Sequence, residues 1–210
     1  MTRAVDPLLQ HELAALAVPG LLIGHRLISP GDENALLARE AVSITSPVVA
    51  VRRASGAARI VARALLTQLG YSRAAIPKDS SGAPVWPVGI VGSLAHDDDV
   101  AVAAVGLAGD VGAVGIDVEP AVALPPGMLD LVATPREIKK LAGDPLRGKM
   151  LFAAKEAVYK AAYPLDRVFL EFHDIEADLI GRTATTKSGR TFALFHRAAS
   201  RIVVVALAQP

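Results

Sequence analysis

The sequence predicts an α+β fold in two halves. Two features carry that expectation. Two long stretches place apolar residues at helical spacing, and they stand among short strand-like runs bounded by turn residues. The chain is also long and apolar enough to bury a core in each half: of its 210 residues, 52% are hydrophobic and 20% charged. Lys+Arg 22 against Asp+Glu 21 leaves a net charge of +1. That balance excludes a disordered chain and lacks the positive excess of a nucleic-acid binder. Cysteine is absent. There is therefore no disulfide framework, thiolate metal centre or cysteine nucleophile, which fits a reducing compartment.

The elements follow in order. The apolar run Leu13 to Ile23 is broken by Pro19-Gly20 and preceded by Asp6 and Glu12. It is shorter than the ~20 residues a membrane span needs, and its acidic flank is not that of a signal peptide. It predicts a core-facing helix followed by a strand, in a cytoplasmic protein without a membrane span. From Ala41 to Lys78 the chain holds Arg52, Arg53, Arg59, Arg63, Arg73 and Lys78 and no acid. Within it, Ala58, Val61, Ala62, Leu65, Leu66 and Leu69 form a helical stripe, with Ser55 as the expected N-cap and Gly70 at C′. Arg59 and Arg63, four apart, flank that stripe. They fit a solvated helix edge or a pair aimed at one anion.

After the turn-rich stretch Pro77 to Pro87 come Ile90 to His96 and Val100 to Gly106, a hairpin joined by Asp97-Asp98-Asp99. Val111 to Glu119 is a strand ended by Pro120. Pro135 to Leu141 is a short helix. Leu146 to Ala162 is a long one closed by Pro164, with a core stripe of Leu146, Met150, Ala153, Ala154, Ala157, Val158 and Ala161. Thr191 to Phe195 and Arg201 to Ala208 are strand-like. A boundary near Gly109 separates the halves.

Three places could carry chemistry. On a strand, Asp117 and Glu119 share a face with their Cα atoms roughly 7 Å apart. Paired acids at an apolar strand's end suit a hard cation such as Mg²⁺, or simply an exposed end. On the second helix, Phe152, Glu156, Tyr159, Lys160 and Tyr163 lie opposite the core stripe. Glu156 and Lys160 fit an ordinary i,i+4 ion pair, or a third carboxylate beside a phosphate-neutralising lysine. His96, next to three Asp, fits a metal ligand, a phosphate contact or a turn histidine beside solvated acids. Carboxylates and cations without a nucleophilic cysteine suit metal-assisted phosphoryl transfer. No P-loop and no G-x-G-x-x-G after a strand is present, against a P-loop kinase and a Rossmann dehydrogenase.

These residues carry a resemblance. Val114-Gly115-Ile116-Asp117-Val118-Glu119-Pro120 and Leu151-Phe152-Ala153-Ala154-Lys155-Glu156-Ala157-Val158-Tyr159-Lys160-Ala161 are its core. Pro84-Val85-Trp86-Pro87, Val91-Gly92-Ser93-Leu94-Ala95-His96 and Phe169-Leu170-Glu171-Phe172-His173-Asp174 extend it in the same order. From Glu40 to Asp174 the chain resembles the 4′-phosphopantetheinyl transferases. It is most similar to their monomeric two-subdomain type, which serves siderophore and other nonribosomal peptide synthetases, like enterobactin synthetase component D.

The resemblance implies a pseudo-twofold pair of similar subdomains, residues 1–109 and 110–210, with coenzyme A bound between them. It implies Mg²⁺, or Mn²⁺, on Asp117, Glu119 and Glu156, with Glu156 also a candidate general base. Lys155 and Lys160 are implied phosphate contacts and catalytic groups. His96 is implied at the 3′-phosphate of coenzyme A, and Lys78, Arg52 or Arg53, and Arg59 elsewhere on the coenzyme. The implied reaction moves the phosphopantetheine arm to a serine of an apo acyl or peptidyl carrier protein and releases adenosine 3′,5′-bisphosphate. The implied state is a monomer. Ala95 stands where the family has Ser or Thr, and Asp97 where it has Cys or Ser. Two alternatives stay open: a relative that binds coenzyme A or a carrier protein without turnover, and a metal-dependent phosphohydrolase using His96 and Asp97 to Asp99.

Overall fold

The computed structural model describes residues 4–209. The first half opens with α1 (Pro7–Leu16), whose Asp6 cap accepts from the N–H groups of Leu8 and Leu9. It continues through β1 (Leu21–Leu27), α2 (Ala38–Ser43), α3 (Val49–Gln68), β2 (Ile90–His96) and β3 (Val100–Leu107). The second half runs β4 (Ala113–Pro120), α4 (Met128–Val132), α5 (Pro135–Leu141), α6 (Pro145–Asp166), β5 (Ile175–Asp178), β6 (Thr183–Thr186), β7 (Thr191–Ala198) and β8 (Arg201–Ala208). The fold is α+β with two antiparallel sheets, ordered β1-β3-β2 and β4-β8-β7-β6-β5.

Each sheet carries one long helix on its outer face. On α3, Val61, Ala62, Leu65 and Leu66 pack against Ala103 and Val105 of β3. On α6, Ala153, Ala154, Ala157, Val158 and Ala161 pack against Ile202, Val204 and Ala206 of β8. The inner faces meet each other. Val100, Val102 and Ala104 of β3 join Val114, Ile116 and Val118 of β4 and Val203, Val205 and Leu207 of β8, closed by Leu9, Leu13 and Leu16 of α1. Strand alternation then turns Gly115, Asp117 and Glu119 toward α6. That one parity choice puts the acids at the site.

Gly115 also sets how close α6 comes. A Cβ there would lie 1.8 Å from the Ala157 carbonyl oxygen, so only glycine lets the helix backbone rest on the strand. Gly56 plays the matching part on α3, where a Cβ would lie 1.9 Å from Asp32 O in the turn Asp32–Ala35.

The hairpin, its 97–99 turn and the short helix Pro135–Leu141 lie where the sequence predicts them. Other boundaries differ. α3 begins at Val49, and Ser55 is buried inside it rather than capping it. Its first turn is exposed, with Val49 at 44% and Val51 at 43%, so the apolar stripe begins only where the helix reaches the sheet. Pro164 lies inside the last turn of α6, which ends when Arg167 turns left-handed at φ 53°. Near a C-terminus the proline removes only one helical bond. Leu146 is 36% exposed and leaves the core stripe. Short elements α2, α4, β5 and β6 have too few residues for a periodic signal. Among the described residues no helix is long and apolar enough to cross a membrane.

Gly115→Ala is expected to cost about 3 kcal/mol or more, because the clash is with backbone. Gly109→Ala, where a Cβ meets nothing within 4 Å, should stay within about 0.5 kcal/mol of the parent in urea denaturation.

Candidate functional site

The charged groups come from β4 and one stripe of α6. Lys149, Phe152, Glu156 and Lys160 are spaced i, i+3, i+7 and i+11, so they line one helix face. Lys160 Nζ donates to Asp117 Oδ1 at 2.6 Å and to Ile116 O at 3.3 Å. Lys149 Nζ lies 2.5 Å from Glu119 Oε2 and 4.9 Å from the Phe152 ring centre. Strand and helix cross so that each acid meets a lysine at opposite ends, with Glu156 between them. The Glu156–Lys160 helix pair expected from the spacing is not formed. Lys160 instead reaches the strand, and among the described residues no hydrogen bond or ion pair holds the Glu156 carboxylate.

Asp117 is buried, with 8% of its side chain exposed. Burial pushes its carboxyl up to about 6. Lys160 opposes that shift, while the charges of Glu119 and Glu156 add to it. Its Oδ2 is buried without a partner.

A cleft of about 300 Å³ opens between the halves beside this cluster. Arg59, Lys78 and His96 line it from the first half, and Tyr159, Lys160 and Tyr163 from the second. Arg59 is 2% exposed. Its Nε donates to Ile76 O at 2.7 Å and its Nη1 to Ser55 O at 3.1 Å, and Nη2 has no partner. Burial pushes this guanidinium down to about 10. The anion shared by Arg59 and Arg63 is Glu40, at 3.9 Å and 2.8 Å. His96 and Lys78 are exposed at the rim. Asp97 points away: Oδ1 accepts from the N–H groups of Asp99 and Val100, and Oδ2 takes Arg201 Nε at 2.6 Å. Its charge is therefore spent on the turn and on Arg201 rather than on the cleft.

A second cavity, about 560 Å³, lies on the other side of Tyr159. Leu131, Tyr159, Phe169, Leu170, Phe172 and Ile175 line it together with Asp130, Lys155, Glu156, Glu171 and His173. Tyr159 thus belongs to both spaces, with Arg59, Lys78 and Lys160 on one side and a mixed wall of apolar and acidic groups around Glu156 on the other.

Three expected cleft residues are engaged elsewhere. Arg52 Nη1 donates to Ser46 O at 2.8 Å, and Arg53 Nε to Glu33 at 2.9 Å. Neither lines the cleft. The third is Lys155, whose ammonium is fully buried rather than free for a phosphate. Its three protons go to Glu137 Oε2 at 2.7 Å, Val132 O at 2.8 Å and Phe172 O at 2.9 Å. Three residues lie outside the sequence expectation. Lys149 was legible from its seven-residue spacing to Glu156. Glu137 and Ser93, whose Oγ accepts the Ile116 N–H at 3.1 Å, carry no local signal.

A divalent cation fits the donor set. Two carboxylates share a strand face, a third faces them from α6, and the orphaned Asp117 Oδ2 is an oxygen in want of a partner. Among the described residues no three acids or histidines are gathered into a ready cage. Mg²⁺ does not need one, since it usually takes one or two carboxylates plus substrate phosphate and water.

Known proteins share this arrangement's sequence. A family model for the 4′-phosphopantetheinyl transferase N-terminal domain matches residues 39–106, and one for the 4′-phosphopantetheinyl transferase superfamily matches residues 113–206. The 4′-phosphopantetheinyl transferase Svp of Streptomyces mobaraensis is 36% identical over 172 residues, 78% of this chain and 70% of that protein. Npt of Nocardia iowensis, also a 4′-phosphopantetheinyl transferase, is 43% identical over 69% of this chain and 66% of its own length. PptT of Mycobacterium tuberculosis, another 4′-phosphopantetheinyl transferase, is 39% identical over 72% and 67% respectively.

The raised pKa of Asp117 fixes the sign of a pH effect in the metal-free protein. The folded chain holds that proton up to about 6, whereas the ordinary value is 3.8. Between those values the native state binds more protons, so this contribution to stability falls as pH rises from about 4 to about 6 and is flat above. Asp117→Asn removes it. Its stability relative to the parent should grow by about 2–3 kcal/mol across that window, read by urea denaturation in EDTA.

Proposed function

The chain belongs to the 4′-phosphopantetheinyl transferase superfamily, and on that premise we propose that it transfers the phosphopantetheine arm of coenzyme A to a serine of an apo acyl or peptidyl carrier protein. The observation that carries this reading is the division of space by Tyr159. The cleft that presents Arg59, Lys78 and Lys160 suits the nucleotide and its phosphates, and the cavity around Glu156, where Leu131, Phe169, Leu170 and Phe172 give apolar surface, suits the uncharged arm and the arriving serine.

Arg59, Lys78 and His96 bind the anionic nucleotide end by charge-assisted hydrogen bonds. The buried, partly unsatisfied Arg59 is the preorganised member of that set, and the exposed Lys78 and His96 at the rim are the adaptable ones. Asp117, Glu119 and Glu156 are the residues that would hold Mg²⁺ or Mn²⁺, which when bound would neutralise the pyrophosphate charge. The carrier serine Oγ bonds to the phosphorus next to pantetheine, and the bond from that phosphorus to the oxygen of the neighbouring phosphate breaks. Glu156, whose carboxylate has no hydrogen bond or ion pair among the described residues, accepts the serine proton directly or through a water. Lys160 stabilises negative charge on the departing adenosine 3′,5′-bisphosphate. One chain supplies both walls of the cleft, from residues 1–109 and 110–210, which supports action as a monomer.

The test is to incubate the protein with coenzyme A, Mg²⁺ and a purified apo carrier protein and weigh the carrier intact. A mass gain of one phosphopantetheine is expected, abolished by EDTA and slowed about 100-fold or more by Glu156→Gln. Coenzyme binding with no gain on acyl or peptidyl carriers would overturn the reading.

A further inference from the structure

We propose that Lys155 and Glu137 form a buried positioning pair that sets the wall opposite Glu156, and that Lys155 makes no phosphate contact. This deepens the functional reading above and rests on it.

The pair is buried, with side-chain exposures of 0% and 1%, and Lys155 lies in the wall of the cavity that holds Glu156. Its connections run to four separate segments. Glu137 Oε2 accepts from Lys155 at 2.7 Å and from the Thr134 N–H at 2.8 Å, while Oε1 accepts the Ala177 N–H of β5 at 2.7 Å. Lys155 spends its other two protons on Val132 O, at the C-terminal end of α4, and on Phe172 O. A helix end presents unpaired carbonyls and negative potential, so an ammonium is a natural partner there. An ammonium has three donors, and all three are taken.

Those anchor points flank the residues that face the general base. Leu131 precedes Val132, and Phe169 to Phe172 lead up to the second carbonyl. Both segments line the cavity with Glu156 and Tyr159. Two aromatic contacts bind the same wall to α6 on either side of Lys155, Phe152 to Phe172 at 5.4 Å and Tyr159 to Phe169 at 5.6 Å between ring centres. The lysine is thus the polar rivet between two aromatic ones. It fixes the gap across which a serine must approach Glu156. A buried charge with good partners is costly to break and marginal for net stability, which leaves specificity of arrangement as its contribution.

The experiment compares wild type with the double variant Lys155→Met/Glu137→Gln, which leaves no uncompensated buried charge. Coenzyme affinity is read by calorimetry, and turnover on an apo carrier by mass spectrometry. A positioning pair predicts coenzyme affinity within about threefold of wild type and kcat lowered about 100-fold, the scale of a misplaced reacting group. Coenzyme affinity weakened about tenfold or more, with the fold intact, would mean that Lys155 holds a phosphate and would overturn the proposal. An unchanged kcat would overturn it as well. If the double variant does not fold, Glu137→Gln alone is measured, since it keeps the ammonium and both carbonyl partners. There about a tenfold loss in kcat at unaltered coenzyme affinity is expected, and no loss overturns the proposal. Wild type that binds coenzyme A but transfers nothing would instead overturn the functional reading itself.

Discussion

The contact of Gly115 with the backbone of α6 is the constraint on which the site depends. A side chain at that position would collide with Ala157 O. Without one, α6 lies directly on β4, and its small residues Ala153, Ala154, Ala157 and Ala161 are all fully buried. At that distance Lys149 and Lys160 can reach acids two and four residues along the strand. A helix held further away by larger side chains would leave Asp117 buried and unpaired, which is among the more expensive arrangements a protein can hold. The charged face of α6 and the closest packing of the second half are therefore one feature.

The cleft in turn depends on how the halves are tied. Ile116 is shared: its N–H goes to Ser93 on β2 and its carbonyl to Lys160 on α6. Further out, Arg201 on β8 takes both Asp97 and Asp99 of the hairpin turn. Ser200 is bound by Glu12 of α1 through both N–H and hydroxyl. At the mouth, Arg167 at the end of α6 pairs with Asp79 at 2.9 Å, on the loop that carries Lys78 to the rim. Hydrophobic contact between the sheets supplies the adhesion. These polar ties fix the register, so that cations from one half face acids from the other across a space open to a ligand.

How much of this was legible varies with the length over which a pattern repeats. The long helices and the hairpin announced themselves through periodicity, and strand parity put Asp117 and Glu119 together. The start of α3 was not legible, because its first turn packs against nothing and carries no stripe. Strands of four residues, such as Ile175–Asp178 and Thr183–Thr186, are too short to declare a period. Within the site, Asp97 stands where the resemblance implies Cys or Ser, beside the position implied for a phosphate. Its real partner, Arg201, lies 104 residues away, a distance at which local reasoning has nothing to say. Arg53 and Glu33, and Lys155 and Glu137, were hidden for the same reason.

Helix geometry separates the two lysines of the motif. At 3.6 residues per turn each residue advances about 100°, so Lys155 and Lys160 project about 140° apart around the helix. Two side chains so separated do not converge on one phosphate from a straight helix packed along a strand. Glu156 and Lys160 differ by about 40°, and Lys149 and Glu156 by about 20°, which puts those three on one face. The motif that reads as a run of functional residues is thus two structures superposed on one helix. One face carries Lys149, Glu156 and Lys160 toward β4. The other, through a single lysine, ties α6 to Glu137, Val132 O and Phe172 O. Sequence similarity records both with equal force, and only the direction of each side chain separates them.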